Sequence, residues 1–180
     1  MSDRNDEDVL NILSRFESLK EYEQFCLFDR FEYIDFKLDS KLLVVSLTSS
    51  NERVSSQQYI KRELITELEF IGLGCLANDY GKVLIRPETL ADKVQEIFKP
   101  VEVDFEEDKD FSRKYYVLTD DEQRLREQMK PELLLALKKQ KKIEVEISGR
   151  HLLCRFRKRI SEEAAEMLSE FLIDIDNAKI

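Results

Sequence analysis

Apolar residues recur along the chain at two spacings, and the two spacings alternate. Val9, Ile12, Leu13, Phe16 and Leu19 fall three or four apart. That spacing predicts a helix from Asp6 to about Phe28, with Tyr22, Phe25 and Cys26 continuing it. Ile34, Phe36 and Leu38 then alternate with Tyr33, Asp35 and Lys37, and Leu43, Val45 and Leu47 answer beyond Asp39-Ser40, the pattern of a hairpin. Thr48 to Ser56 reads as a polar loop. Tyr59, Ile60, Leu64 and Leu68 predict a second helix. Phe70 to Leu76 and Lys82 to Ile85 read as strands joined through Asn78 to Gly81. Pro87 then opens a helix with Leu90, Val94, Ile97 and Phe98 on one face, and Pro100 ends it.

After Pro100 the order restarts. Val101, Val103 and Phe105 alternate with acids, the loop Glu106 to Asp110 follows, and Lys114 to Leu118 is a strand. Thr119 and Glu122 have the spacing of a capping box, and Pro131 restarts the helix at its first position, ahead of Leu133, Leu134 and Leu137. Ile143, Val145 and Ile147 alternate with Glu144 and Glu146, Ser148-Gly149 supplies a tight turn, and Leu152, Cys154 and Phe156 return. Pairing Ile147 with Arg150, Val145 with Leu152 and Ile143 with Cys154 keeps both apolar sets on one side. Ser161 caps a final helix carrying Ala164, Ala165, Leu168, Phe171 and Leu172. The expected fold class is α+β, with an N-terminal helix and two ββαββα-like units of mainly antiparallel sheet. The units span 1–100 and 101–180, separate or packed as a single domain. Ile143, Val145, Leu152, Phe156, Leu168 and Phe171 are expected to share one core.

Tyr115, Tyr116, Val117, Thr119, Asp121, Pro131, Leu134 and Leu137 stand in an order that resembles a bacterial domain family of unknown function. Its pattern is an aromatic strand, a Ser/Thr-x-Asp segment, a helix, a Leu-Thr-Pro step, and then a leucine-rich helix and hairpin. Met129-Lys130 replaces the Leu-Thr here. The resemblance covers the last third of the chain and implies a fold, with no active site.

Composition narrows the chemistry. The 180 residues are 42% hydrophobic and 37% charged, enough for a packed core beneath a polar surface. A net charge of −9 opposes general nucleic-acid binding. No apolar run reaches the roughly 20 residues of a membrane span, and the acidic N-terminus has no signal-peptide core. Cys26, Cys75 and Cys154 lack CxxC spacing and are odd in number, which predicts reduced thiols and a cytoplasmic location. With His151 as the single histidine, neither a histidine triad nor a multi-histidine metal site can form within one chain. Gly72-Leu73-Gly74 lacks the lysine of a phosphate loop. The acidic run Asp104 to Asp110 lacks the spaced ligands of a calcium loop and reads as solvated. No catalytic, metal or cofactor residue is predicted.

The densest feature is basic. Between Lys138 and Arg159 stand nine lysines and arginines against Glu144 and Glu146, a local charge of about +7. The expected partner-binding residues are Lys141, Lys142, Arg150, Arg155 and Arg157, with Arg155 and Arg157 pointing away from the core. Such a strip suits an acidic protein surface or an anionic membrane. The competing reading is a solvated face, paired in part with Glu144, Glu146 and the acidic loop. The function expected from these features is a non-enzymatic protein-interaction module. Two alternatives are a small acidic secretion-type chaperone, acting as a homodimer with an exposed apolar surface, and a small-ligand binder or carboxylate enzyme.

Overall fold

A computed structural model describes residues 3–20, 22–31, 40–54, 60–87, 101–105, 108–140, 142–157 and 160–178. The described elements run α1 (Asp3–Leu13), α2 (Glu17–Lys20), β1 (Gln24–Phe31), β2 (Lys41–Val54), β3 (Ile60–Cys75), β4 (Lys82–Pro87), β5 (Val101–Glu102), α3 (Lys109–Ser112), β6 (Tyr115–Thr119), α4 (Glu122–Gln128), α5 (Pro131–Lys139), β7 (Glu144–Ser148), β8 (His151–Arg155) and α6 (Glu162–Ala178). The fold is α+β, as expected, with a helix at the N-terminus. All eight strands lie in one antiparallel sheet of order β1-β2-β3-β8-β7-β4-β6-β5. The C-terminal hairpin β7–β8 is therefore set between β3 and β4, and a single sheet runs through both halves of the chain.

Strand alternation sorts side chains onto two faces. On one, Leu42, Val44, Phe70, Val83, Ile85, Tyr115, Val117, Val145, Ile147, Leu152 and Cys154 form the main core. Leu133, Ala136 and Leu137 of α5 and Leu168, Phe171, Leu172 and Ile175 of α6 complete it. All six residues expected to share a core belong to this cluster. Gly72 leaves room for Cys154 of its partner strand β8 and for Leu172 of α6, because a Cβ there would run into Cys154 Sγ and lie 3.1 Å from Leu172 Cδ1. On the opposite face, Leu43, Val45, Leu47, Ile71, Leu73 and Leu153 pack beneath Val9 and Leu13 of α1, Phe16, and Leu19 of α2.

Several local readings change. Gln24–Phe31 is a strand, where a helix to about Phe28 was expected, because it pairs with β2. Tertiary pairing overrides a local helical pattern of this kind. Thr48–Val54 continues β2, and Ile60–Leu68 is the first half of β3. These two segments pair with each other from Thr48↔Thr66 to Val54↔Ile60 in place of the expected loop and helix. The strand expected over 34–38 and the helix expected over 88–98 lie outside the described residues. Asp121, two residues after Thr119, caps α4 by accepting from Arg124 N at 3.0 Å. Pro131 does begin α5, and Ser161 Oγ accepts from Ala164 N at 3.2 Å at the start of α6.

The β7–β8 hairpin forms with a register two residues from the expected one. Ile147 faces Leu152, Val145 faces Cys154, and the loop is Gly149-Arg150, with Gly149 at φ +65°. An even offset preserves the alternation, so the apolar set keeps the core face.

Candidate functional site

The five residues expected to bind a partner separate in the structure. Lys141 lies outside the described residues. Lys142 and Arg150 are exposed, and Arg150 Nε donates to Leu76 O at 2.9 Å. Arg155 is fully buried, which corrects the expectation that it points into solvent. Arg157 is about three-quarters buried and its Nε lies 2.7 Å from Glu144 Oε2. The strip is therefore no continuous open surface. Arg155 and Arg157 turn inward and pair with Glu144 there.

The physical reason is the glutamates that alternate with the apolar residues of β7. Glu144 and Arg155 are direct cross-strand partners. Both face the α1–α2 layer, which shields them from water. Glu144 Oε1 accepts from Arg155 Nε at 3.0 Å, while Arg86 Nε from β4 stands 3.3 Å from Oε2. Three arginines thus converge on one carboxylate, and they hold its pKa below the ordinary value against the opposing effect of burial. Glu146 accepts from Glu17 N at 2.6 Å and Ser18 N at 3.0 Å, anchoring the first turn of α2 to β7. Burial nevertheless raises its pKa, more than those donors lower it. The Arg155 guanidinium lies 5.8 Å from the Tyr22 ring centroid, and its Nη1 is 3.7 Å from Glu69 Oε2 of β3. That last distance is too long for a hydrogen bond, and both atoms are buried without one.

This charged row ends at Glu69, where Glu69 Oε2 and Arg155 Nη1 make no hydrogen bond. There it reaches a groove of about 660 Å³ lined by Ile65, Thr66, Glu67, Leu68, Glu69, Arg157 and Ile160. The groove follows from how β8 ends. Pairing of β8 with β3 stops at Gly72↔Cys154, and Arg157 takes a left-handed φ of 46°. Among the described residues, no strand then flanks β3 on that side over its first half. Residues 63 to 68 are all exposed, with Leu64 at 61% and Ile65 and Leu68 each at 36%.

The other candidate groups have structural settings. The Cys154 thiol is pushed up in pKa by complete burial, and His151 is held below its usual value by burial and by Arg15 and Arg150. Tyr80 and Tyr115 are raised to about 12 by burial. Their hydroxyls donate to Gln128 O and to Leu137 O and Gln140 O, tying α4 and α5 to the sheet. Among the described residues, no group of three or more His, Cys, Asp or Glu is placed to hold a metal ion. No described helix is long and apolar enough to cross a membrane.

The open edge of β3 was missed in the sequence because Ile60, Leu64 and Leu68 are four apart, a spacing that keeps residues on one face of a helix or of a strand. The discriminating signal was Glu63, Ile65, Glu67 and Glu69, which alternate with them at a period of two. No protein family, curated protein or solved structure matches the chain.

Proposed function

We propose that the protein is a non-enzymatic interaction module that takes up a partner polypeptide by strand addition along the open edge of β3. The observation that carries this reading is the exposed stretch 63–68, a strand that has β2 on one side and, among the described residues, no strand on the other. An open edge offers backbone donors and acceptors to an added strand, and exposed apolar residues beside it add affinity. The buried carboxylates Glu144 and Glu146 support a non-enzymatic role. Their oxygens are engaged by arginines and by backbone N–H groups, which leaves them poorly placed for acid–base work.

The test is selection of displayed random peptides on the purified protein, followed by amide exchange. Selected peptides should slow exchange across Glu63–Glu69 and should lose binding to a Leu64→Lys, Leu68→Lys variant, whose changes fall on exposed positions. Peptides that bind this variant equally, or that protect other elements only, would refute strand addition.

The exposed Leu64, Ile65, Leu68 and Ile160 also favour a second reading, a small acidic secretion-type chaperone holding an unfolded client. That activity would suppress aggregation of a chemically denatured client at stoichiometric ratio, which a module specific for one short segment would not do.

A further inference from the structure

The side chains along the β3 edge narrow the partner's chemistry, and the inference rests on the strand-addition reading above. By the β2–β3 register, Glu63, Ile65, Glu67 and Glu69 project to the α1 side of the sheet, while Leu64, Thr66 and Leu68 project to the α6 side. One side of the edge therefore carries three carboxylates, and the other continues the apolar stripe of Phe70 and Val44 beyond the main core. Arg157, the cation lining this groove among the described residues, is engaged by Glu144 at 2.7 Å. Glu69 is only 7% exposed, yet its Oε2 accepts no hydrogen bond. A buried carboxylate oxygen in that state favours any ligand that brings it a donor. Burial also holds the Glu69 pKa above its ordinary value even with Arg155 and Arg157 nearby, so its ionised form is disfavoured and a further cation would stabilise it.

A second copy of the chain fits less well. Two-fold antiparallel pairing centred on Ile65 sets Glu63 against Glu67, and pairing centred on Thr66 sets Glu63 against Glu69. Like charges directly opposite one another destabilise a strand pair.

We propose that the edge of β3 over Glu63–Glu69 receives an extended peptide in which lysine or arginine alternates with apolar residues. Its basic side chains lie against Glu63, Glu67 and Glu69. Its apolar side chains extend Leu64 and Leu68 towards Ile160.

Two end-capped, dye-labelled peptides of about eight residues, near the usual strand length, test this. One alternates lysine with valine, the other glutamate with valine. Fluorescence anisotropy at low and high salt gives affinity, and amide exchange gives location. The lysine peptide should bind at least about tenfold more tightly at low salt, the gap should narrow as salt screens the charges, and amides of Glu63–Glu69 should be protected. A Glu63→Lys, Glu67→Lys variant, altered only at exposed positions and checked for folding by thermal melt, should reverse the preference. Equal affinities with β3 protected would overturn the charge assignment and leave strand addition standing. Absence of β3 protection with either peptide would overturn both. Protection of β3 without peptide, in a species of dimer mass, would assign the edge to a second copy and overturn the proposal.

Discussion

Three guanidinium groups converge on Glu144, from β4, from β8 and from Arg157 just beyond it, and removing its charge leaves them facing one another. Breaking a buried ion pair from one side typically costs about 3–5 kcal/mol, because the remaining charge stays buried without compensation. Glu144→Gln should lower stability by that order in urea unfolding. Glu122→Gln removes an exposed i,i+4 partner of Arg126 and should stay within about 0.5 kcal/mol. Arg155→Glu belongs with the severe class, since it would set a carboxylate between Glu144 and Glu69. The same groups fix a pH profile. Glu69 and Glu146 have folded pKa values raised above 4.5, so the folded state binds protons more readily than the unfolded chain there. Through those raised values their contribution to stability should therefore increase as pH falls, opposed nearer neutrality by His151, whose lowered pKa favours proton uptake by the unfolded chain. Glu144 is lowered from 4.5, so its contribution is complete above that value and is lost as pH falls through its folded pKa. Urea midpoints between neutral and strongly acidic pH should pass through a maximum on the acid side. In Glu144→Gln the component of the acid decline due to Glu144 should be missing. In a His151→Gln background, a midpoint that only falls from neutrality downward would contradict the assignment to Glu69 and Glu146.

Among the elements, β3, β8 and α6 crowd together at Gly72, where Cys154 and Leu172 stand. A methyl group there would run into Cys154 Sγ, inside any tolerable contact, so Gly72→Ala should cost about 1–3 kcal/mol through overpacking. Cys154→Ala removes the sulfur that the methyl would strike. The double variant should accordingly be more stable than the sum of the two single changes predicts, a coupling readable in a double-mutant cycle. Additive effects would place the strain elsewhere, against Leu172. The same scale shows what the sequence could reveal. The β7–β8 hairpin was legible because Ile143 to Ile147 and Leu152 to Phe156 repeat at two, a period no helix shares, and the final helix because Ser161 precedes a stripe spaced at three and four. The turn register was misplaced by two because either pairing keeps Val145 and Cys154 on the core face. Over Ile60–Leu68 a four-residue spacing satisfies both periods, and the alternation of Glu63, Ile65, Glu67 and Glu69 with those residues, realised in the pairing with the preceding strand β2, decides between them. The inward turn of Arg155 was hidden for a similar reason. A strand's polar face is exposed only if nothing covers it, and the cover is α1 and α2, more than a hundred residues away.

For the whole molecule, the order β3-β8-β7-β4 has a thermodynamic consequence. The first half contributes β3 and β4 on either side of a gap that the second half's hairpin fills. Residues 1–100 alone would expose the β8-facing side of β3 and both edges of β4. Residues 101–180 alone would leave β7 and β6 without the strand that joins them. Neither piece retains the main core, whose walls come from β2, β3 and β4 as much as from α5 and α6. Unfolding of the full chain should therefore be one transition, with calorimetric and van't Hoff enthalpies in agreement. Separately produced 1–100 and 101–180 fragments should lack cooperative melts, and mixing them from denaturant should restore one. A fragment of residues 101–180 with a cooperative melt of its own would show that the second half is an independent folding unit. The sheet would then be an interface between two units.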